Sequence, residues 1–173
     1  TGRSLDLAIQ GNGFFQVSHP DGTTVYTRDG TLQLNSAGEL VTAEGLKLTP
    51  SISITGDVIG VNVGSDGTVS AQSSDGSSQS LGSITLATFP NSAGLESMGK
   101  NLLRETTASG APTTGTPGQT GIGGIMQGFR ESSNVEVVSE LVNIIVAQRA
   151  YETSSRAIKA ADDMLQTTNR ISG

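Results

Sequence analysis

The sequence predicts a mainly β protein that ends in one long α-helix: an antiparallel β sandwich or irregular barrel, then an extended connector, then a coiled-coil-forming helix. Three observations carry this reading. Residues 5–89 break into short apolar runs separated by Gly-containing turn signals. Residues 106–128 are dominated by Thr, Gly, Ala and Pro. From 133 to about 168, apolar residues recur at helical spacing. The expected organisation is a β domain over 1–105, a Gly/Thr/Pro-rich connector over 106–132 and an amphipathic helix over 133–173.

In chain order, the strand candidates are 5–10, 14–18, 25–28, 32–34, 40–42, 47–48, 58–63, 69–71 and 84–89. The breaks among them are Gly11-Asn12-Gly13, Asp21-Gly22, Asp29-Gly30, 35–38, Glu44-Gly45, Gly56-Asp57, Asp66-Gly67 and Asp75-Gly76. Asp-Gly pairs predict hairpins because both residues tolerate positive φ. Short strands at such regular spacing predict an antiparallel meander. The stretch 73–82, SSDGSSQSLG, is polar almost throughout and reads as a flexible loop. Residues 106–128 lack the apolar content to form a core alone, so they read as a connector that is ordered only where something holds it.

The helix has a defined start. Ser133-Asn134-Val135-Glu136 fits a capping box, in which the Ser hydroxyl accepts from an amide of the first turn and Glu136 returns to the cap amide. Asn134 is a competing cap. Val138, Leu141, Val142 and Ile145 then recur on an apolar face. Beyond Ala147 the seam continues in smaller residues, Ala150, Tyr151, Ser154, Ala157, Ile158, Ala161 and Leu165. Arg149, Glu152, Arg156, Lys159 and Asp163 form a polar stripe opposite them, with Glu152–Arg156 and Lys159–Asp163 spaced for i,i+4 pairing. Gln148, Ser155 and Asp162 break a strict heptad, so the element is coiled-coil-like.

A helix of about 35 residues is on the order of 50 Å long, further than a small β domain reaches. Most helical stability comes from burying an apolar face. Partners are therefore expected in another segment of the protein or in neighbouring copies. Val138, Leu141, Val142, Ile145, Tyr151, Ile158 and Leu165 are the expected helix-packing residues, and Arg149, Glu152 and Arg156 the expected polar contacts between subunits. The plainer alternative is a surface helix lying on the β domain.

Composition narrows the function classes. The chain carries 23 Gly, four Phe, two Tyr and no Trp, so its core rests on Val, Ile and Leu. A net charge of −6 argues against a nucleic-acid footprint, which would be basic. Absence of Cys removes disulfides and thiolate metal sites. No run approaches the ~18 apolar residues that span a bilayer, so no membrane insertion is expected. The chain starts at Thr1 with no signal-peptide pattern and reads as a fragment.

Nothing in the sequence assembles a reactive centre. His19 is the single histidine and precedes Pro20-Asp21-Gly22, so it reads as a hairpin residue. Asp21, Asp29, Asp66 and Asp75 each precede Gly in a turn, without the ligand spacing of a calcium loop. Gly11-Asn12-Gly13 and Gly121-Ile122-Gly123-Gly124 lack the dinucleotide and phosphate-loop patterns. Catalytic, cofactor and metal sites are all expected to be absent, and the chain is expected not to be an enzyme.

Three stretches together resemble the bacterial flagellar rod and hook family. SLDLAIQGNGFFQV running into DGTTVYTRDGTLQLNSAGELVTAEGLKL is similar to the shared β-domain motif, in which a Gly-rich turn leads to Tyr-Thr-Arg-Asp/Asn-Gly. SSNVEVVSELVNIIVAQRAYETSSRAIKAADDMLQ is similar to the shared C-terminal helix, including its Gln148-Arg149-Ala150-Tyr151-Glu152 centre. The middle, TFPNSAGLESMGKNL and ETTASGAPTTGTPGQTGIGGIMQGFRESSNV, resembles the distal-rod branch. Hook members usually insert a further outer domain there, and the proximal branch departs from this segment.

The resemblance implies a structural subunit that self-assembles helically into the drive shaft linking motor to hook. The terminal helices would line the inner tube, with the β domain facing outwards. It implies a basal-body location, where the rod crosses the periplasm, and export in an unfolded state through the flagellar type III apparatus. The implied partners are copies of itself, proximal rod subunits, hook subunits and the surrounding ring proteins. The alternatives are a proximal rod or hook subunit and, from another class, an adhesive or carbohydrate-binding β module on a coiled-coil stalk.

Overall fold

The computed structural model describes residues 2–131 and 137–171, in two units, Thr1–Glu131 and Ser132–Gly173. The first unit is built from β1 (Leu7–Gln10), β2 (Phe14–Ser18), β3 (Thr24–Thr27), β4 (Leu32–Leu34), β5 (Leu40–Thr42), β6 (Lys47–Leu48), β7 (Val58–Val63), β8 (Thr68–Ser73), β9 (Ser78–Ser83) and β10 (Leu86–Thr88). They are followed by β11 (Glu96–Gly99), β12 (Leu102–Arg104), β13 (Thr113–Gly115) and β14 (Gly124–Gln127). The second unit is one helix, α1 (Val137–Ile171). The predicted cap residues Ser133, Asn134 and Glu136 lie outside the described residues.

The strands form three open antiparallel sheets, and none closes into a barrel among the described residues. β1 pairs with β14. β7, β8 and β9 form a three-stranded meander. The largest sheet runs β11-β12-β3-β2-β6-β5-β4, with β10 bridging β2 and β13. β2 is its centre: Phe15 pairs with Thr27, Val17 with Leu48, and Phe14 with Ala87. A strand paired on both sides and covered on both faces reads as a continuous apolar run. Phe14, Phe15, Gln16 and Val17 are all buried.

The alternation of side chains along β2 sends its two phenylalanines to different clusters. Phe15, fully buried, joins Leu7 and Ile9 of β1, Val61 and Val63 of β7, Val69 of β8, Leu86 of β10 and Ile125 of β14. That cluster ties the three sheets into one core. Phe14 packs instead with Tyr26 and Ala87, backed by Phe89. Phe89 meets Phe14 and Tyr26 edge-on, with ring centroids 5.9 and 4.8 Å apart. Edge-to-face contacts of this kind add about 0.5–1.5 kcal/mol each beyond burial.

Several predicted elements need revision. Five strand predictions reproduce their observed limits (14–18, 32–34, 40–42, 47–48 and 58–63), while β9 lies inside the predicted flexible loop 73–82 and runs on to Ser83. β9 is polar and almost wholly exposed, and its backbone ladder to β8 holds it, with Ala71 opposite Gln79. Asp29-Gly30 was expected to turn a hairpin. It instead joins β3 to β4, which do not pair with each other. The connector region carries β13 and β14. What holds it is the body itself, through Ala87–Thr114 and Ile9–Ile125 pairing.

Gln127 shows how side chains complete this closure. Its Nε2 donates to the carbonyls of Val61 and Ser4, both at 2.7 Å. Its Oε1 accepts from the Val63 amide at 3.1 Å. The amide thus substitutes for a missing strand between β14 and β7. Gln127→Leu strands the Val63 donor and the Val61 acceptor, at a cost of about 2 kcal/mol. Urea unfolding should show that loss, together with faster hydrogen exchange at the Val63 amide than at Val69.

Candidate assembly surface

The predicted assembly residues all fall on α1, a continuous helix of 35 residues. Ile145, Tyr151 and Ile158 are 49%, 80% and 65% exposed. Arg149, Glu152 and Arg156 are also exposed. The side chains of Val138, Leu141, Val142 and Leu165 lie outside the described residues. Ile144, Val146 and Met164 add further exposed apolar surface that the sequence reading left out.

Helical geometry divides these positions. At 3.6 residues per turn, 138, 141, 142 and 145 share one face. The charged positions 149, 152, 156, 159 and 163 continue that same face towards the C-terminus. Positions 144, 147, 151, 154, 158, 161 and 165 recur at alternating intervals of three and four, roughly half a turn away. On a regular helix the expected seam positions therefore separate into two sets, which change over near 144–146.

The first unit contributes a second feature, centred on Arg28. Its guanidinium donates to three main-chain carbonyls: Gly11 and Gly13, each at 3.0 Å from Nη1, and Ile9 at 3.2 Å from Nη2. Its Nε donates to Glu131 Oε2 at 2.9 Å. The group also stands 5.9 Å from the Phe14 ring centroid. Five donors in a rigid fork suit such a multi-carbonyl site, and lysine could not reproduce it. Sequence reasoning placed Arg28 only within the Tyr-Thr-Arg-Asp-Gly stretch. Its partners Ile9 and Glu131 are too distant in the chain for spacing to indicate them.

The four Asp-Gly-Thr/Ser turns share one local chemistry. In each, the carboxylate accepts from the amide and hydroxyl two residues on: Asp21 with Thr23, Asp29 with Thr31, Asp66 with Thr68 and Asp75 with Ser77. The Thr23 hydroxyl and then its amide, helped by His19, hold Asp21 down at about 2 against an ordinary 3.8. Burial pushes Asp29 up, but bonds from Thr31 and Asn101 and the charge of Arg130 outweigh it, and its value falls. The amide and then the hydroxyl of Thr68 lower Asp66, and the hydroxyl and then the amide of Ser77 lower Asp75. Lys47 and Asn35 lower Glu39.

A carboxylate whose folded value lies below its unfolded one contributes stability above the unfolded value and loses it as pH falls through the folded one. Thermal melts should therefore be level from pH 7 to about 4.5. The midpoint should then fall progressively between about pH 4 and 2. An unchanged midpoint across that lower window would contradict these turns as acid-sensitive elements.

A cleft of about 630 Å³ opens beside Arg28, Phe14, Phe89, Asn91, Thr113 and Ile122. Its lining offers amides, hydroxyls and one arginine, with no carboxylate, histidine or lysine to act as a general base. His19 Nδ1 lies 3.0 Å from Asp21 Oδ1 in the β2–β3 hairpin, with no nucleophile in that pair. Among the described residues no three His, Asp or Glu side chains are grouped to hold a metal ion. Among them, too, no helix is long and apolar enough to cross a membrane.

Comparison with known proteins matches both units. Residues 8–71 match the family described as flagellar hook protein FlgE/F/G D1 domain. Residues 126–171 match the flagellar basal body rod FlgEFG protein C-terminal family. The flagellar basal-body rod protein FlgG of Buchnera aphidicola subsp. Schizaphis graminum is 49% identical over 173 residues, covering 99% of this chain and 66% of that protein. The FlgG of Caulobacter vibrioides is 43% identical over the same coverage. The flagellar hook protein FlgE of Salmonella typhimurium is 43% identical over 112 residues, 65% of this chain and 28% of the hook protein. The chain spans about two thirds of the length of the rod proteins it matches.

Proposed function

Since the chain belongs to the flagellar rod and hook family, we propose that it is a structural subunit of the distal rod, the shaft that links motor to hook across the periplasm. The observation that carries this reading is coverage. Similarity to basal-body rod proteins named FlgG runs through 99% of the chain, including the middle segment, whereas similarity to a hook protein covers 65%. A hook subunit is thereby the weaker reading.

The physical role follows from the two units. The β unit has a core shared by three sheets. The helix exposes Ile144, Ile145, Tyr151 and Ile158, surface that stacking with other copies would bury. Copies of the chain are its first partners in this reading, with proximal rod and hook subunits at the two ends, ring proteins around it, and the type III apparatus exporting it. Burial of the stripes couples the stability of the helix to polymerisation. The subunit works by packing and by transmitting torque, with no chemical step.

Fractionation of basal bodies tests the assignment. The protein should stay with rod-bearing basal bodies after hooks and filaments are removed, and cells lacking it should export hook subunits without building hooks. Recovery in the hook fraction would overturn the distal-rod reading. Recovery outside flagella, with specific capture of a glycan by the β unit, would favour an adhesive module.

A further inference from the structure

We propose that the Arg28–Glu131 ion pair is a latch that extends the rigid body of the first unit to its last residue. Residues 129–131 then belong to that rigid body although they lie past the last strand. The Gly128 amide donates to the Asp6 carbonyl at 2.8 Å, closing the strand pairing of β1 with β14. Past it the chain leaves the sheet, and Phe129 is 55% exposed. Among residues 129–131, Glu131 is the one held by a hydrogen bond among the described residues, at 2.9 Å from Arg28 Nε. Arg130 acts on Asp29 through its charge.

The two partners are unequal. Arg28 is also held by three main-chain carbonyls, of Ile9, Gly11 and Gly13, none of which belongs to the segment after β14. It is a preformed receiver whose ordering cost is met by the β1–β2 turn. Glu131 is 46% exposed at its side chain and has only this partner among the described residues. The carboxylate is the part that engages and releases. An exposed pair contributes little when both side chains must be ordered for it. Here one is already ordered, so closure is favoured about fivefold over release.

The consequence for a torque-bearing shaft rests on the reading above: three more residues carried on the first unit make that unit a longer rigid element. The latch itself is tested on the 173-residue chain, independently of that reading. Backbone order parameters from ¹⁵N relaxation should be near 0.85 at residues 129–131, as for rigid backbone, and fall below about 0.6 in Glu131→Ala. Residues 9–13 should stay rigid in both proteins. The Arg28 Nε proton should exchange with water about fivefold faster in Glu131→Ala. Raising salt to about 1 M should move the unmodified chain in the same direction.

Exchanging the charges, Arg28→Glu with Glu131→Arg, should not restore order, because the carbonyls lose their donor. If that double variant does not fold, Glu131→Ala decides alone. Residues 129–131 that are already mobile in the unmodified chain, or that remain rigid in Glu131→Ala, would overturn the latch. A working latch in a protein absent from rods would instead overturn the shaft reading and leave the latch standing.

Discussion

Gly30→Ala is expected to lower the thermal midpoint of the first unit by about 10–20 °C. A Cβ at Gly30 would sit 1.9 Å from the Leu7 carbonyl oxygen and 3.0 Å from the Phe15 ring. Its φ is not in the left-handed region, so space is the whole difficulty. The clash is with main chain, which cannot rotate away. Relief requires β1 to separate from the chain at Gly30, breaking the bond from the Leu7 amide to the Gly30 carbonyl at 2.9 Å. It also disturbs Leu7 and Phe15, 1% and 0% exposed at the junction of the sheets. Such a combination costs on the order of 3–5 kcal/mol.

Gly45→Ala provides the control. Nothing lies within 4 Å of its added Cβ, and the penalty is only that of its φ of +85°, about 1–2 kcal/mol. Circular dichroism melts of the two variants should therefore differ severalfold in their displacement. Equal displacements would show that the close approach at Gly30 relaxes at little cost.

Ile145→Asp is expected to abolish rod assembly while leaving the melting of the first unit within about 0.5 kcal/mol of its original stability. Ile145 is 49% exposed in the chain as it stands, so the carboxylate is harmless there. In a stacked assembly it would be stripped of water beside apolar neighbours, costing several kcal/mol at every subunit. The critical concentration for polymerisation should rise by about 100-fold or more. Leu141→Asp belongs to the same face and should act alike.

Ile158→Asp distinguishes one buried stripe from two. Position 158 lies roughly half a turn from position 145. If copies cover both stripes, both variants fail to assemble. If only the 138–145 face is buried, Ile158→Asp assembles normally, and sedimentation of the polymer separates the cases. A rod built from Ile145→Asp would count against the helix as the assembly surface altogether.

How much of this was legible beforehand depends on what kind of signal each element carries. β2, β4, β5, β6 and β7 announce themselves because their burial is written in Val, Leu, Ile and Phe. β9, β11 and β13 could not be read this way. Ser78–Ser83, Glu96–Gly99 and Thr113–Gly115 carry almost no apolar side chains, and their pairing is made by main-chain groups that every residue possesses. The helix was legible from its periodicity. Its division into two stripes needed a regular helix laid along the whole span, and whether partners cover each stripe is a property of the assembly.

The amino-acid sequence alone determined the class of the protein, the long terminal helix, most apolar strands and the family resemblance, because all of these are local patterns of size, polarity and spacing. Only the tertiary structure decided the roles of Arg28, Gln127 and Gly30. Arg28 meets Glu131 across 103 positions, Gln127 meets Val61 across 66, and Gly30 must admit the backbone of Leu7. Contacts between distant segments depend on how sheets cross in space, and no short-range pattern of residues records that.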